Sequence, residues 1–128
     1  MKQFVRKIAA LEEAMSAERG PFTFFALFLR ESFTLKWDLL VAAPWLSRSR
    51  KEDLEYVIGV LQSNLTKKEF LELGRTIILD WDHPRMEEAF ELADVEHGLV
   101  EVRDEDILGQ TIKRGYIITS KRRQPLAA

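Results

Sequence analysis

Residues 22–29, Phe22-Thr23-Phe24-Phe25-Ala26-Leu27-Phe28-Leu29, carry no charge and hold four of the eight phenylalanines of the chain. Strand side chains alternate between two faces, so a stretch apolar on both faces folds as a strand only if both faces are covered. Periodicity alone leaves a short buried helix open as the alternative. Read as a strand, the segment demands a sheet with material packed above and below it, which excludes an open sheet with one wet face.

The flanking patterns supply that material. Phe4, Ile8, Leu11 and Met15 recur at three- and four-residue spacing before Gly20-Pro21, which predicts an amphipathic N-terminal helix over residues 2–19. After a turn at residues 30–34, residues 35–43 read as a second strand in a hairpin with the first. Two capping boxes follow, Ser49-Arg50-Lys51-Glu52 and Thr66-Lys67-Lys68-Glu69. In each, the N-cap hydroxyl and the N3 carboxylate would take up free backbone N–H groups. The stripe Leu54, Val57, Ile58, Leu61 and Leu65 belongs to the first of these helices, with Gly59 hinting at close packing, and Gly74 is placed to end the second in a left-handed cap. Residues 76–80 read as a third strand and 84–94 as a helix. Residues 99–103, a polar turn through 104–106 and Gly109, and a strand within 110–119, bulged at Gly115, close the sheet as a C-terminal hairpin. The fold class expected is α/β or α+β: a single-domain, three-layer arrangement over residues 1–120, with a mixed sheet of about five strands and helices on both faces. Helix-separated strands in this order suggest right-handed parallel crossovers. Residues 121–128 read as a basic flexible tail.

Composition narrows the function classes. With 46% hydrophobic and 31% charged residues, the 128-residue chain falls in the ordinary soluble globular range, and its longest uncharged apolar run is about half of a membrane span. The absence of cysteine excludes thiol catalysis, iron-sulfur clusters and cysteine-rich zinc sites. Together with a start that lacks a secretory apolar segment, it points to a cytoplasmic setting. Charge is segregated: residues 75–110 hold 3 basic and 11 acidic residues, and residues 111–128 hold 5 basic and none acidic. Such blocks serve partner binding or face each other within the fold.

Candidate chemistry gathers at Asp80-Trp81-Asp82-His83-Pro84, where the third strand ends; strand carboxyl ends are where α/β sheets collect ligands. Asp80 and Asp82, with Asp38 on the preceding strand, could hold Mg²⁺ or Mn²⁺ and turn over a phosphoester or nucleotide. The routine duty of Asp82, two residues before Pro84, is to cap the next helix. The routine place of His83 is an exposed loop, with substrate contact or proton transfer the lesser alternative. Asp80 has no routine duty and needs a partner. Trp45 and Arg48, in the loop after the second strand, could stack on a ring and receive an anion, although covering the core edge is the favoured use of a Trp there. Lys113, Arg114, Lys121, Arg122 and Arg123 form a thin basic strip whose nearest use is charge pairing, with Glu101, Asp104, Glu105 and Asp106 of the paired strand or between subunits; nucleic-acid binding through it is the weaker reading. No Gly-rich phosphate loop, nucleophile elbow or zinc-protease pair is present. The expectation is therefore a small non-catalytic interaction or regulatory module that binds a protein partner or itself as a homo-oligomer, with no cofactor and no membrane. The metal-dependent hydrolase is the alternative.

Overall fold

The computed structural model describes residues 2–30 and 36–124. The expected turn at 30–34 and the last four residues of the tail lie largely outside them. The element order is α1 (Lys2–Arg19), β1 (Phe24–Arg30), β2 (Lys36–Ala42), α2 (Lys51–Asn64), α3 (Lys67–Glu72), β3 (Leu73–Ile78), α4 (Met86–Leu92), β4 (Val100–Ile107) and β5 (Gln110–Ser120). The five strands form one mixed sheet in the order β3-β2-β1-β5-β4. The protein is a single mixed α/β domain, as the two-faced apolar segment requires.

That segment is a strand, and it lies at the centre. β1 pairs antiparallel with β2 on one side and with β5 on the other. Its side chains divide between two cores. Phe25 and Leu27, with Trp37, Leu39 and Val41 of β2, pack against Phe4, Val5, Ile8 and Met15 of α1 and Val57 and Leu61 of α2. Phe24, Ala26 and Phe28, with Leu40 and Ala42, pack against Met86 and Ala89 of α4 and Ala93 just beyond it. Each fully buried large apolar side chain contributes about 1.5–3 kcal/mol relative to exposure, so both layers are strongly held.

Only one of the expected parallel connections forms. β2 and β3 run parallel across the α2–α3 crossover, but β4 pairs at the far edge with β5, so the α4 connection spans the sheet without making a second parallel pair. The second capping box forms as expected: the Thr66 hydroxyl accepts the Glu69 N–H and the Glu69 carboxylate accepts the Thr66 N–H. The first does not. Arg50 is the N-cap of α2 and has no side-chain cap bond, while the Asp53 carboxylate accepts the Ser47 N–H at 2.7 Å, taking the chain entering α2 as its partner.

Three glycines differ from expectation for separate reasons. Gly74 lies inside β3, and Leu73 ends α3 in extended backbone with no left-handed turn. A Cβ on Gly59 would meet nothing within 4 Å, so this helix position is not a close approach. Gly115 stays in register with Phe28 and Val102, and the β5 irregularity falls instead at Ile118, between the pairs Phe25–Thr119 and Ala26–Ile117. Gly115 is there because a Cβ would lie 2.7 Å from the Phe28 ring and 3.0 Å from the Leu27 carbonyl oxygen. Residues 104–106, expected within the turn, continue β4 in unbroken register with β5, with Asp104 at φ 52°, and the turn is confined to Leu108-Gly109, with φ 54° and 81°. Two successive positive φ values match the two-residue hairpin turn whose twist suits flanking strands.

The two glycine environments predict opposite substitution effects. Gly59→Ala should raise unfolding free energy by about 0.5–1 kcal/mol, because a helix interior gains from the lost backbone freedom. Gly115→Ala should lower it by about 1–3 kcal/mol through forced displacement of Phe28. Urea denaturation of both variants checks the pair, and equal signs would contradict this packing.

Candidate functional site

The parallel pairing of β2 and β3 brings the carboxyl ends of both strands to one edge. Leu79 N–H donates to the Val41 carbonyl at 2.8 Å, so the ladder continues one residue beyond β3 and Asp80 is the first residue to leave it. The chain then turns: His83 N–H donates to the Asp80 carbonyl at 3.1 Å, and Met86 N–H to the His83 carbonyl at 2.9 Å. The His83 Nδ1 accepts the Arg85 N–H at 3.1 Å, which fixes the ring against the start of α4.

Within this loop the expected residues separate. The Asp80 carboxylate lies 3.4 Å from Nε of Arg48, so the orphan carboxylate finds an arginine from the loop after β2. Arg48, Asp80 and His83 line one cavity of about 170 Å³ with Arg85, Leu79, Met86 and Leu108. Asp82 lines a different cavity, of about 270 Å³, with Trp81, Phe90, Glu87, Arg122 and Arg123; His83 and Met86 border both. Asp82 does not cap α4, whose N-cap is Arg85 with no side-chain bond. The chain takes a turn through residues 84–85 before the helix begins, which moves the free amides out of reach of position 82.

Trp45 does not join Arg48. It is buried in the first core, edge-on to Phe22 at 5.2 Å between ring centres, and its indole N–H donates to the Gly20 carbonyl at 2.7 Å. Gly20, at φ 129°, lies so close to the indole that a Cβ would stand 3.0 Å from Cδ1. This is the core-covering duty of Trp, with its polar tip satisfied.

Asp38 is buried and forms a fork with Arg75. Its Oδ2 accepts Arg75 Nη2 at 2.8 Å and Nε at 3.3 Å, and its Oδ1 accepts the Arg75 N–H at 3.0 Å. The β2–β3 register slips between Trp37 and Leu39, and the carboxylate serves as acceptor where the ladder supplies none. Asp38, Asp80 and Asp82 thus border three separate cavities. Among the described residues no three His, Asp or Glu side chains gather as a metal ligand set.

The basic strip is largely engaged within the fold. Lys121 pairs with Asp94 at 2.6 Å, Arg122 with Glu87, and Arg123 with Glu96; Arg123 also donates to the Phe22 carbonyl at 2.8 Å. These partners lie on α4 and the loop after it, not on β4 as the sequence order suggests. Arg114 donates to the Tyr116 hydroxyl at 3.2 Å, and Lys113 is exposed beside the Asp38 cavity. No helix among the described residues is long and apolar enough to cross a membrane.

A buried polar cluster was not anticipated from sequence. Glu12, with no exposed surface, accepts a hydrogen bond from Thr119 Oγ1 at 2.8 Å and pairs with His97 Nδ1 at 2.6 Å. The Thr119 hydroxyl in turn accepts the His97 N–H at 3.1 Å. The signal was visible: Glu12 falls on the helix face of Ile8 and Met15, where a carboxylate needs a buried partner. The hydrogen bond to Glu12 holds the His97 pKa above its ordinary 6.5 against partial burial, and the charges of Glu12, Glu96 and Glu13 add to the effect.

The chain matches no protein-family model, no curated protein and no solved structure.

Because the His97 pKa is raised in the folded state, its contribution to stability is complete below pH 6.5 and fades as pH rises through the folded-state value. Unfolding free energy should therefore decline on the alkaline side of 6.5, and His97→Gln should flatten that decline. Denaturant titrations over this range check it; an unchanged slope in the variant would assign the pH dependence elsewhere.

Proposed function

We propose that the protein is a non-catalytic interaction module that associates with a second copy of itself by strand addition at β3. The observation that carries this reading is the contrast between the two edges of the sheet. β4 carries Glu101, Arg103, Asp104, Glu105 and Asp106, and such a row of charges blunts an edge against pairing. β3 has no such row. Its single charge, Arg75, is drawn onto Asp38, and the register from Leu39–Thr76 to Val41–Ile78 is regular.

Backbone alternation sets the geometry. Leu79 N–H points to β2, so the peptide groups of Thr76 and Ile78 point outward, available to another strand. An antiparallel pair centred on Ile77 places Thr76 opposite Ile78 of the second copy and Arg75 opposite Leu79, with no like charges opposed. Such twofold pairing is self-complementary. Leu71, on α3 and 58% exposed, adds apolar surface beside the edge. The separation of Asp38, Asp80 and Asp82 supports the non-catalytic side of the reading.

Sedimentation velocity across a concentration series should show a monomer–dimer equilibrium. Thr76→Pro removes an outward N–H, and Thr76→Lys charges the edge; each should shift the chain to monomer while circular dichroism stays that of the wild type. A wild type that sediments as monomer throughout, or a dimer unaffected by both substitutions, would overturn the proposal.

A further inference from the structure

We infer that the cavity at the end of β3 is an oxyanion subsite that receives the phosphate group of a small phosphomonoester between Arg48 and Arg85. The inference goes beyond self-association and does not depend on it.

Two guanidinium groups line this cavity, and neither hydrogen-bonds to a described residue. Arg48 has only its contact with Asp80 at 3.4 Å, and Arg85 only one with Glu88 at 3.7 Å. Both distances exceed the 2.7–2.9 Å of a charge-assisted bond. Elsewhere arginines are engaged more closely: Arg75 on Asp38, Arg103 on Glu101, Arg122 on Glu87 and Arg123 on Glu96. The two loose contacts share a pattern, since each carboxylate faces Nε and leaves the terminal nitrogens without a partner among the described residues. Paired terminal N–H groups are what a phosphate takes up in bidentate fashion.

Arg85 is also placed by the backbone. A Cβ on Gly109 would collide with its Nη1, so the bare β4–β5 turn is what lets the guanidinium lie there. Glu88, the brace on Arg85, has its other oxygen on the Leu108 N–H at 2.8 Å, and can release the arginine to a ligand without becoming unpartnered.

The remaining walls define the rest of the ligand. Leu79, Met86 and Leu108 are apolar and strengthen any charge interaction they screen from water. Asp80 and the His83 ring offer polar partners to a hydroxyl on the ligand's stem. About 170 Å³ is well below the volume of a drug-sized site, so the group held here is a phosphate on a short stem. Two guanidinium forks suit a tetrahedral phosphate better than a carboxylate, whose two oxygens one fork satisfies.

Titration of the full chain with inorganic phosphate and with glycerol phosphate, followed by NMR of the arginine Nε–H signals, tests this. Both should give saturable shifts at Arg48 and Arg85 with a Kd of about 1 mM or tighter. Acetate should bind more weakly. Arg48→Gln and Arg85→Gln should each weaken binding by roughly tenfold or more. Both side chains are more than half exposed, so the fold should survive; the control Arg103→Gln should leave binding unchanged. Absence of saturation, equal binding of acetate, or equal loss in the Arg103 variant would each overturn the proposal.

Discussion

β1 has to be enclosed on four sides: hydrogen-bonded by β2 and β5 at its edges, and covered by side chains above and below. The rest of the chain is arranged by that demand. One face has ample cover, from the long α1 and the α2 stripe. The other has only α4, seven residues long, which buries just Met86 and Ala89. The second face is completed by the hairpin itself: Val102, Ile107 and Ile112 belong to the same core as Phe24 and Phe28.

The buried acids follow a common logic. Asp38 accepts the Arg75 N–H at a slip in the β2–β3 register, and Asp53 accepts the Ser47 N–H where the chain enters α2. Glu12 reaches Thr119 and His97, the latter held at φ 54°. Each carboxylate stands where regular backbone bonding is interrupted. A buried carboxylate is costly unless it is fully bonded, and an interrupted ladder leaves donors that are costly unless accepted. For Asp38 and Asp53 placing one against the other resolves both, while for Glu12 the Thr119 hydroxyl stands between, accepting the His97 N–H and donating to the carboxylate, a structural use of these acids that requires no catalytic role.

What the sequence made legible was local or periodic. The two-faced segment gave the layers, the hairpin gave β1–β2, and Thr66 with Glu69 gave the start of α3. The misread positions depend on contacts distant in sequence. Gly115 looks like any strand glycine until Phe28 is seen against it, and Ser49 loses its capping duty because Asp53 takes the preceding loop. Asp82 met the spacing rule for a cap, but the helix starts later than Pro84 suggests. The charge blocks were read as intramolecular partners, which holds for Lys121 to Arg123, yet the acidic side is α4 and its following loop. The strand-end loop was found and only partly resolved: Arg48, Asp80 and His83 meet, while Trp45 and Asp38 serve the core and the β2–β3 seam.

The position of the Arg48–Asp80 cavity follows from topology. β2 and β3 are the only parallel pair among the described strands, so theirs are the only neighbouring carboxyl ends in the sheet. The loop after β2 carries Arg48, the loop after β3 carries Asp80 and His83, and the two can meet nowhere else. The same crossover leaves β3 at the edge with its outer peptide groups unpaired. Antiparallel pairing of two β3 strands centred on Ile77 sets Asp80 opposite Gly74 of the second copy, a residue without a side chain to fill the space beside the cavity. The two cavities then lie at opposite ends of the joined strands, each open, so association through the edge and binding at the strand end are geometrically compatible.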